Sequence, residues 1–365
     1  MPSLLVLLAP SANHVYAGQA PRLAATEIAL TCPQVRQVSP VRIAGVDYLE
    51  ATVDELAPVL APMARASATL ALFVRHGDLL EPVELPVTGA LDEDLVTIPK
   101  YRGKTNEQFT RLLLNVTLAA TREQVAQRLA EGRRLAVLDP MAGRGTTLQT
   151  AWLLGHDGFG VEVDAKAVEA LSAHMTTWLR HKRLKHTAGM HPVRREGRSL
   201  GRRFDAELRL PEAEPLTMGV FTGDTRDSAA LWGRKLFDAV VVDAPYGVVH
   251  GSTTGRGDRR GPGRGSALRA PGRGGDADRH DSPRNRDRSP AELLAEAVPV
   301  WAGQLRPGGA MGISWNTFGM AREDLLDIMA KAGLEPLDDA LHQGLEHRVD
   351  SSIHRDVAVA ARPVG

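Results

Sequence analysis

Four short apolar runs punctuate the middle of the chain, and each closes on an acidic residue and a turn. Residues 135–138 read Leu-Ala-Val-Leu and end at Asp139. Residues 159–163 pass through Glu162 to Asp164, 220–222 lead to Gly223-Asp224, and 237–242 end at Asp243. The fourth run is unbroken apolar from Ala239 onward, which is how strands buried on both faces of a parallel sheet read. Stretches of helical spacing at 148–154 and 165–184 lie between them. Alternating strands and helices predict an α/β fold around a mostly parallel sheet.

The flanking segments extend this pattern. Residues 108–131 carry the spacing of one long amphipathic helix, with Thr105 as its expected N-cap. After the fourth run come a helix at 290–305, a strand at 310–315, a helix at 321–332 and a closing antiparallel pair within 347–360. The first 86 residues alternate on their own. Strand-like runs at 3–9, 41–52 and 68–74 are separated by helical spacing at 18–30 and 53–66, the latter interrupted by Pro58 and Pro62. This predicts a small α+β module over 1–86, a linker over 87–104 and a larger domain over 105–365. The run at 3–9 has no Lys or Arg before it and is too short to span a bilayer, so it reads as a strand. No other run is long enough for a membrane helix, and a soluble, cytoplasmic chain is expected.

Two segments break the pattern. Residues 189–215 lack clear periodicity, and a basic half (Arg194, Arg195, Arg198, Arg202, Arg203) precedes an acidic one; an insertion facing substrate is expected. Residues 252–290 are rich in Gly, Pro, Ser and Arg, with ten arginines against five aspartates and almost no apolar residues. Such a stretch cannot bury enough surface to fold alone. It is read either as a segment that orders on a phosphate backbone or as a disordered surface insertion.

Composition narrows the chemistry only slightly. The 365 residues hold 44 basic and 44 acidic side chains, so any affinity for nucleic acid must come from local surface. The single cysteine, Cys32, excludes a disulfide framework and fits a reducing compartment.

The turns carry more. Asp139-Pro140-Met141-Ala142-Gly143-Arg144-Gly145-Thr146-Thr147 opens a helix, and Gly143 and Gly145 lack the Cβ that would keep a ligand away from the backbone. Glu162 stands at the end of the second strand, where a carboxylate accepts from two ribose hydroxyls, while Asp164 suits a helix cap. Asp224, followed by Thr225, ends the third strand within reach of an adenine amino group. The fourth strand delivers Asp243-Ala244-Pro245-Tyr246-Gly247.

In this order the motifs resemble class I S-adenosylmethionine-dependent methyltransferases, specifically the group that methylates exocyclic amines of bases and carries D/N-P-P-Y/F or N-L-P-Y-G at this place. The resemblance covers about residues 100–360. It implies a Rossmann-like seven-stranded sheet with helices on both faces, and S-adenosylmethionine held by Asp139, Pro140, Ala142, Gly143, Gly145, Thr146, Glu162, Asp224 and Thr225. Thr105 and Asn106 are read either as contacts to the methionine end or as plain helix caps. Asp243 and the Pro245 carbonyl are expected to accept the two amino hydrogens of the target, with Tyr246 stacked on its base. No metal is implied.

Ala244 departs from the group's commoner proline and tilts the reading towards RNA. The first module resembles the ferredoxin-like segment that precedes the catalytic domain in THUMP-type tRNA methyltransferases, as a structural cap or as an RNA-binding part. Guanine N2 in tRNA is the implied target. The alternative is adenine N6 or cytosine N4 in DNA, although no separate target-recognition domain follows Tyr246. C5 methylation of a pyrimidine needs a thiolate in the cofactor domain, and Cys32 lies outside it. A dinucleotide oxidoreductase would want a third glycine where Thr147 or Leu148 stands, and a non-catalytic nucleic-acid-binding protein has no use for Asp243, Pro245 and Tyr246. His347, Arg348 and Arg355 are candidates for substrate phosphate or for structural pairing.

Overall fold

In the computed structural model, residues 2–11, 13–99, 101, 104–211, 214–245 and 290–364 are described. Tyr246, the stacking candidate, and the Arg/Gly-rich stretch up to residue 289 lie outside them.

The chain begins with β1 (Ser3–Leu8), α1 (His14–Ala17), α2 (Ala20–Thr31), β2 (Val35–Ile43), β3 (Val46–Val53), α3 (Ala57–Arg65), β4 (Thr69–His76) and β5 (Leu79–Val83). These strands form an antiparallel sheet in the order β2-β3-β1-β4-β5, the first six major elements following the β-α-β-β-α-β path of ferredoxin-like folds. Leu4, Val6, Leu49 and Leu72 bury their side chains against Ile28 of α2 and Val59 and Met63 of α3. The stretch 41–52 that reads as one strand is a hairpin corner: Ala44 and Gly45 have φ of 49° and 82°, the positive pair a tight two-residue turn demands.

The remaining elements build the larger unit: α4 (Asp94–Thr97), α5 (Glu107–Ala119), α6 (Glu123–Ala130), β6 (Ala136–Asp139), α7 (Thr146–Leu153), β7 (Asp157–Glu162), α8 (Ala165–His181), β8 (His186–Arg195), β9 (Arg198–Leu208), β10 (Leu216–Thr222), α9 (Ser228–Trp232), β11 (Phe237–Asp243), α10 (Pro290–Gln304), β12 (Leu305–Asn316), α11 (Arg322–Lys331), β13 (Glu335–Leu337), α12 (Ala340–Gln343), β14 (His347–Arg348) and β15 (His354–Ala361). Its sheet runs β13-β15-β12-β11-β6-β7-β10-β9-β8, and β14 pairs with β15. From β12 to β10 neighbours are parallel; β15 is antiparallel to both β12 and β13. Seven of these strands, with one antiparallel strand wedged near the edge, make the Rossmann-like sheet of class I methyltransferases. Helices cover both faces: α5, α7 and α8 meet Val137, Val241 and Val220, while α10 and α11 meet Leu138, Val240 and Ile313. Chain order reverses at β6, with β7 on one side and β11 on the other, so a crevice opens at the strands' carboxyl ends.

The structure differs from the sequence pattern at three places. The helix over 108–131 is two, α5 and α6. Arg122 leaves helical geometry (φ −127°) to donate its backbone N–H to Gly308 O at 2.8 Å, which ties the break to β12. The segment 189–215, read as an insertion without clear periodicity, is regular in structure: 186–208 fold as the β8–β9 hairpin, which adds two antiparallel strands to the sheet beside β10. β13, only three residues long, carries too little pattern to be foreseen. No helix among the described residues is long and apolar enough to cross a membrane.

Candidate active site

The crevice at the carboxyl ends of β6, β7, β10 and β11 gathers the four acids. Asp139, buried at 3% exposure, accepts from Met141 N at 3.0 Å. Burial pushes its carboxyl up to about 7; the Thr147 hydroxyl and Met141 amide pull it down, and the nearby charges of Asp243 and Glu162 add to the rise. The turn beyond it is built by Gly143 (φ 51°) and Gly145 (φ 79°), left-handed conformations that side chains with a Cβ rarely adopt. A Cβ on Gly145 would also stand 2.8 Å from Leu171 Cδ1.

Glu162 braces that turn: its Oε2 accepts from Gly143 N and its Oε1 from Asp164 N, each at 2.7 Å. Asp164 in turn caps α8 through Lys166 N. Pro140, Met141, Val161, Glu162, Val163, Asp224, Thr225 and Leu293 line one small cleft. Its walls are apolar and its two carboxylates come from neighbouring strand ends. Asp224 is engaged by Arg226, whose Nε lies 2.9 Å from Oδ1 and whose other guanidinium arm reaches Glu296 on α10 at 2.9 Å. Thr146, the first residue of α7, has its hydroxyl 3.1 Å from that of Tyr101, and Arg144 lies 4.6 Å over the Tyr101 ring. Ala142 is buried beside Gly160, where a Cβ would come within 2.9 Å of it.

Asp243 is held from three sides. Thr105, just ahead of α5, donates its hydroxyl to Oδ2; Ser314 of β12 donates to Oδ1 at 3.0 Å; and Arg355 Nη2 of β15 stands 3.8 Å from Oδ2. Arg355 is 4% exposed and its guanidinium lies 4.2 Å over the Phe109 ring. Next to Asp243, Ala244 is buried and donates its N–H to Ser314 O, which fixes the direction in which the chain leaves the strand towards Pro245.

Sequence reasoning gave Thr105 the helix cap, but Asn106 caps α5, accepting from Phe109 N at 3.1 Å and donating to Ser11 Oγ of the small sheet's unit. Asn106 thus lines a separate cavity towards the first module rather than the small cleft. Arg355 faces Asp243 instead of solvent, and His347, 2% exposed, packs 4.9 Å from the Phe109 ring, so neither is available to a phosphate. Ser314 was missed. The signal for it is the one hydroxyl in the apolar run of β12, since a polar group buried in a strand needs a partner. Among the described residues, no group of three or more His, Cys, Asp and Glu side chains could hold a metal ion.

No family model matches the chain, and no curated protein matches it. Solved structures do. A T. thermophilus 16S rRNA N2 methyltransferase in complex with AdoMet and guanosine is 16% identical, with a TM-score of 0.35 over 90% of this chain, which spans 51% of that one. A putative RNA methyltransferase from Pyrococcus horikoshii is 14% identical over 76% of this chain and 92% of that one, with a TM-score of 0.35. The magnesium protoporphyrin IX methyltransferase of Synechocystis with bound SAM is 13% identical over 72% and 86%, again at 0.35. The fold assignment stands on strand order and on the acids at the strand ends.

Proposed function

We propose that the protein transfers a methyl group from S-adenosylmethionine to the exocyclic amine of a nucleobase, and that this amine is guanine N2 in tRNA. The observation that carries the reading is Asp243, fixed by Thr105, Ser314 and Arg355 at the carboxyl end of β11, in the same crevice as the cleft of Glu162 and Asp224.

The residues fit the cofactor. Pro140, Met141, Val161 and Leu293 give apolar walls for an adenine, Glu162 offers two carboxylate oxygens to ribose hydroxyls, and Asp224 with Thr225 stands at the same cleft. Gly143 and Gly145 let the backbone come close. Asp139, buried and held near neutrality, suits a ligand ammonium, which would restore its charge. The cofactor supplies an electrophilic sulfonium methyl.

Base amines are weak nucleophiles because their lone pair is conjugated into the ring. Asp243 Oδ and the Pro245 carbonyl accept the two amino hydrogens and favour the pyramidal nitrogen that attacks in line. Those bonds strengthen as positive charge develops, so the stabilisation is concentrated in the transition state. The fixed carboxylate needs little reorganisation, and holding amine and methyl together removes much of the entropic barrier. By the sequence resemblance Tyr246 stacks on the target base. The ferredoxin-like path of the first module and Ala244 between Asp243 and Pro245 support the THUMP-type tRNA group over the DNA enzymes.

The test is transfer of labelled methyl from S-adenosylmethionine to bulk tRNA and, separately, to genomic DNA, with nucleoside mass spectrometry. N2-methylguanosine from tRNA is the expected product. Label in DNA alone, as N6-methyladenine or N4-methylcytosine, would overturn the assignment.

A further inference from the structure

The β8–β9 hairpin does more than extend the sheet. β9 pairs with β10 only up to Arg203 opposite Phe221, yet it begins five residues earlier, at Arg198. The ribbon therefore continues past its pairing with β10, at the strand end next to that of Glu162. Glu196 (φ 50°) and Gly197 (φ 79°) close its tip as a tight turn between Arg195 and Arg198.

The projecting part is anchored. Gly201 (φ 94°) crosses so close to the end of β10 that a Cβ would lie 3.1 Å from Thr222 O, and the register slips between Val193 and Arg194 at the same level. Beyond this bend Val193 and Leu200 pack against Val161, Phe221 and Leu231. Arg195 donates to Ala230 O at 2.6 Å and Leu231 O at 2.9 Å, which pins the tip to the end of α9.

Charge distinguishes this ribbon from a structural flap. Arg202 pairs with Glu169, while Arg203 and His191 share Asp205. Arg194 and Arg198, both exposed, make no hydrogen bond or ion pair with a described side chain, and Glu196 is the one acid at the tip. Two guanidiniums without a partner among the described residues, on an anchored ribbon whose Val193 and Leu200 pack against Val161 of the cofactor cleft, concentrate positive potential at one place in a chain whose formal charge is zero.

We infer that this hairpin is a basic arm that grips the phosphodiester backbone of an RNA substrate next to the target nucleotide. The inference rests on the base-amine reading of the site. Guanidiniums pair with phosphates in a bidentate way without reading sequence, so the arm supplies grip and register while the crevice selects the base.

The test is the doubly charge-reversed variant Arg194→Glu/Arg198→Glu, neither residue touching the cofactor cleft or Asp243. Filter binding of bulk tRNA is measured across a salt series alongside steady-state methylation, and circular dichroism checks folding. The expected result is a KM for tRNA raised at least ~10-fold with kcat and S-adenosylmethionine affinity unchanged. The slope of log affinity against log salt should fall by roughly two, about one per lost phosphate contact. Arg194→Lys/Arg198→Lys should keep most of the binding. Unchanged KM and salt slope in the folded reversed variant would overturn the arm, as would the same loss on duplex DNA with no effect on tRNA. Because filter binding does not depend on methyl transfer, a wild-type protein that binds tRNA through these arginines but methylates nothing would sink the catalytic reading and leave the arm standing.

Discussion

The hydroxyl of Thr105 donates to Asp243 Oδ2 although 138 residues separate them in sequence. The start of α5 is thereby tied to the end of β11, and the carboxylate is aimed before any substrate arrives. Ser314 holds the other oxygen, at 3.0 Å.

Removing either donor should slow the chemical step. A hydrogen bond to a charged group contributes about 1.5–3 kcal/mol, so Thr105→Val and Ser314→Ala should each lower kcat by about tenfold or more. S-adenosylmethionine affinity should hold, as read by calorimetry. For Thr105 the opposite split, weakened cofactor binding at constant kcat, would give this residue to the methionine end of the cofactor.

Arg355 lies between Asp243 and the Phe109 ring, nearly sealed from solvent. Removing one member of a buried charge pair costs about 3 kcal/mol or more. Arg355→Met should therefore depress both thermal stability and kcat. Arg355→Met/Asp243→Asn should recover much of the stability and none of the activity. Equal stabilities for the single and double variants would show that the two charges do not depend on each other.

Burial raises the Asp139 carboxyl to about 7. Its raised value means that the folded state retains a proton: stability from this group is full below the ordinary carboxylate range and is lost as pH rises through 7. Cofactor binding should run the other way, tightening up to tenfold per unit as pH climbs towards 7, then weakening once the ligand's own amino group loses its proton near 8. Calorimetry from pH 6 to 8.5 reads this directly, and Asp139→Asn should flatten the rising limb.

His156 and His347 are both pushed down to about 4, chiefly by burial, with Arg65 and Arg134 repelling a charge on His156 and Arg22 one on His347. For these depressed groups the stability they confer is present above the ordinary histidine value near 6.5 and is lost as pH falls towards 4. The loss amounts to about 1.4 kcal/mol per pH unit for each. Over the same window Asp139 acts in the opposite direction, so the contribution is read by difference: between pH 7.5 and 5.5, His156→Gln should lose less thermal stability than the wild type.

The strand-end positions of Asp139, Glu162, Asp224 and Asp243 were legible because buried parallel strands write themselves as apolar runs that stop at a polar residue. The tie from Thr105 to Asp243 was not, since nothing local records a contact made across the fold. Nor was the break between α5 and α6, where apolar spacing continues through a point that a bond to Gly308 interrupts. The hairpin escaped because its register slip and its exposed arginines erase strand alternation at 193–203, and the short β13 offered three residues of pattern. Tyr246 lies outside the described residues, and its stacking role rests on sequence alone.

The most direct measurement pairs two readouts on Asp243→Ala: methyl transfer from labelled S-adenosylmethionine to tRNA, and cofactor affinity by calorimetry. Transfer should disappear while affinity stays within about threefold of the wild type. Retained transfer, or loss of cofactor binding in its place, would contradict the assignment of Asp243 to the reacting amine.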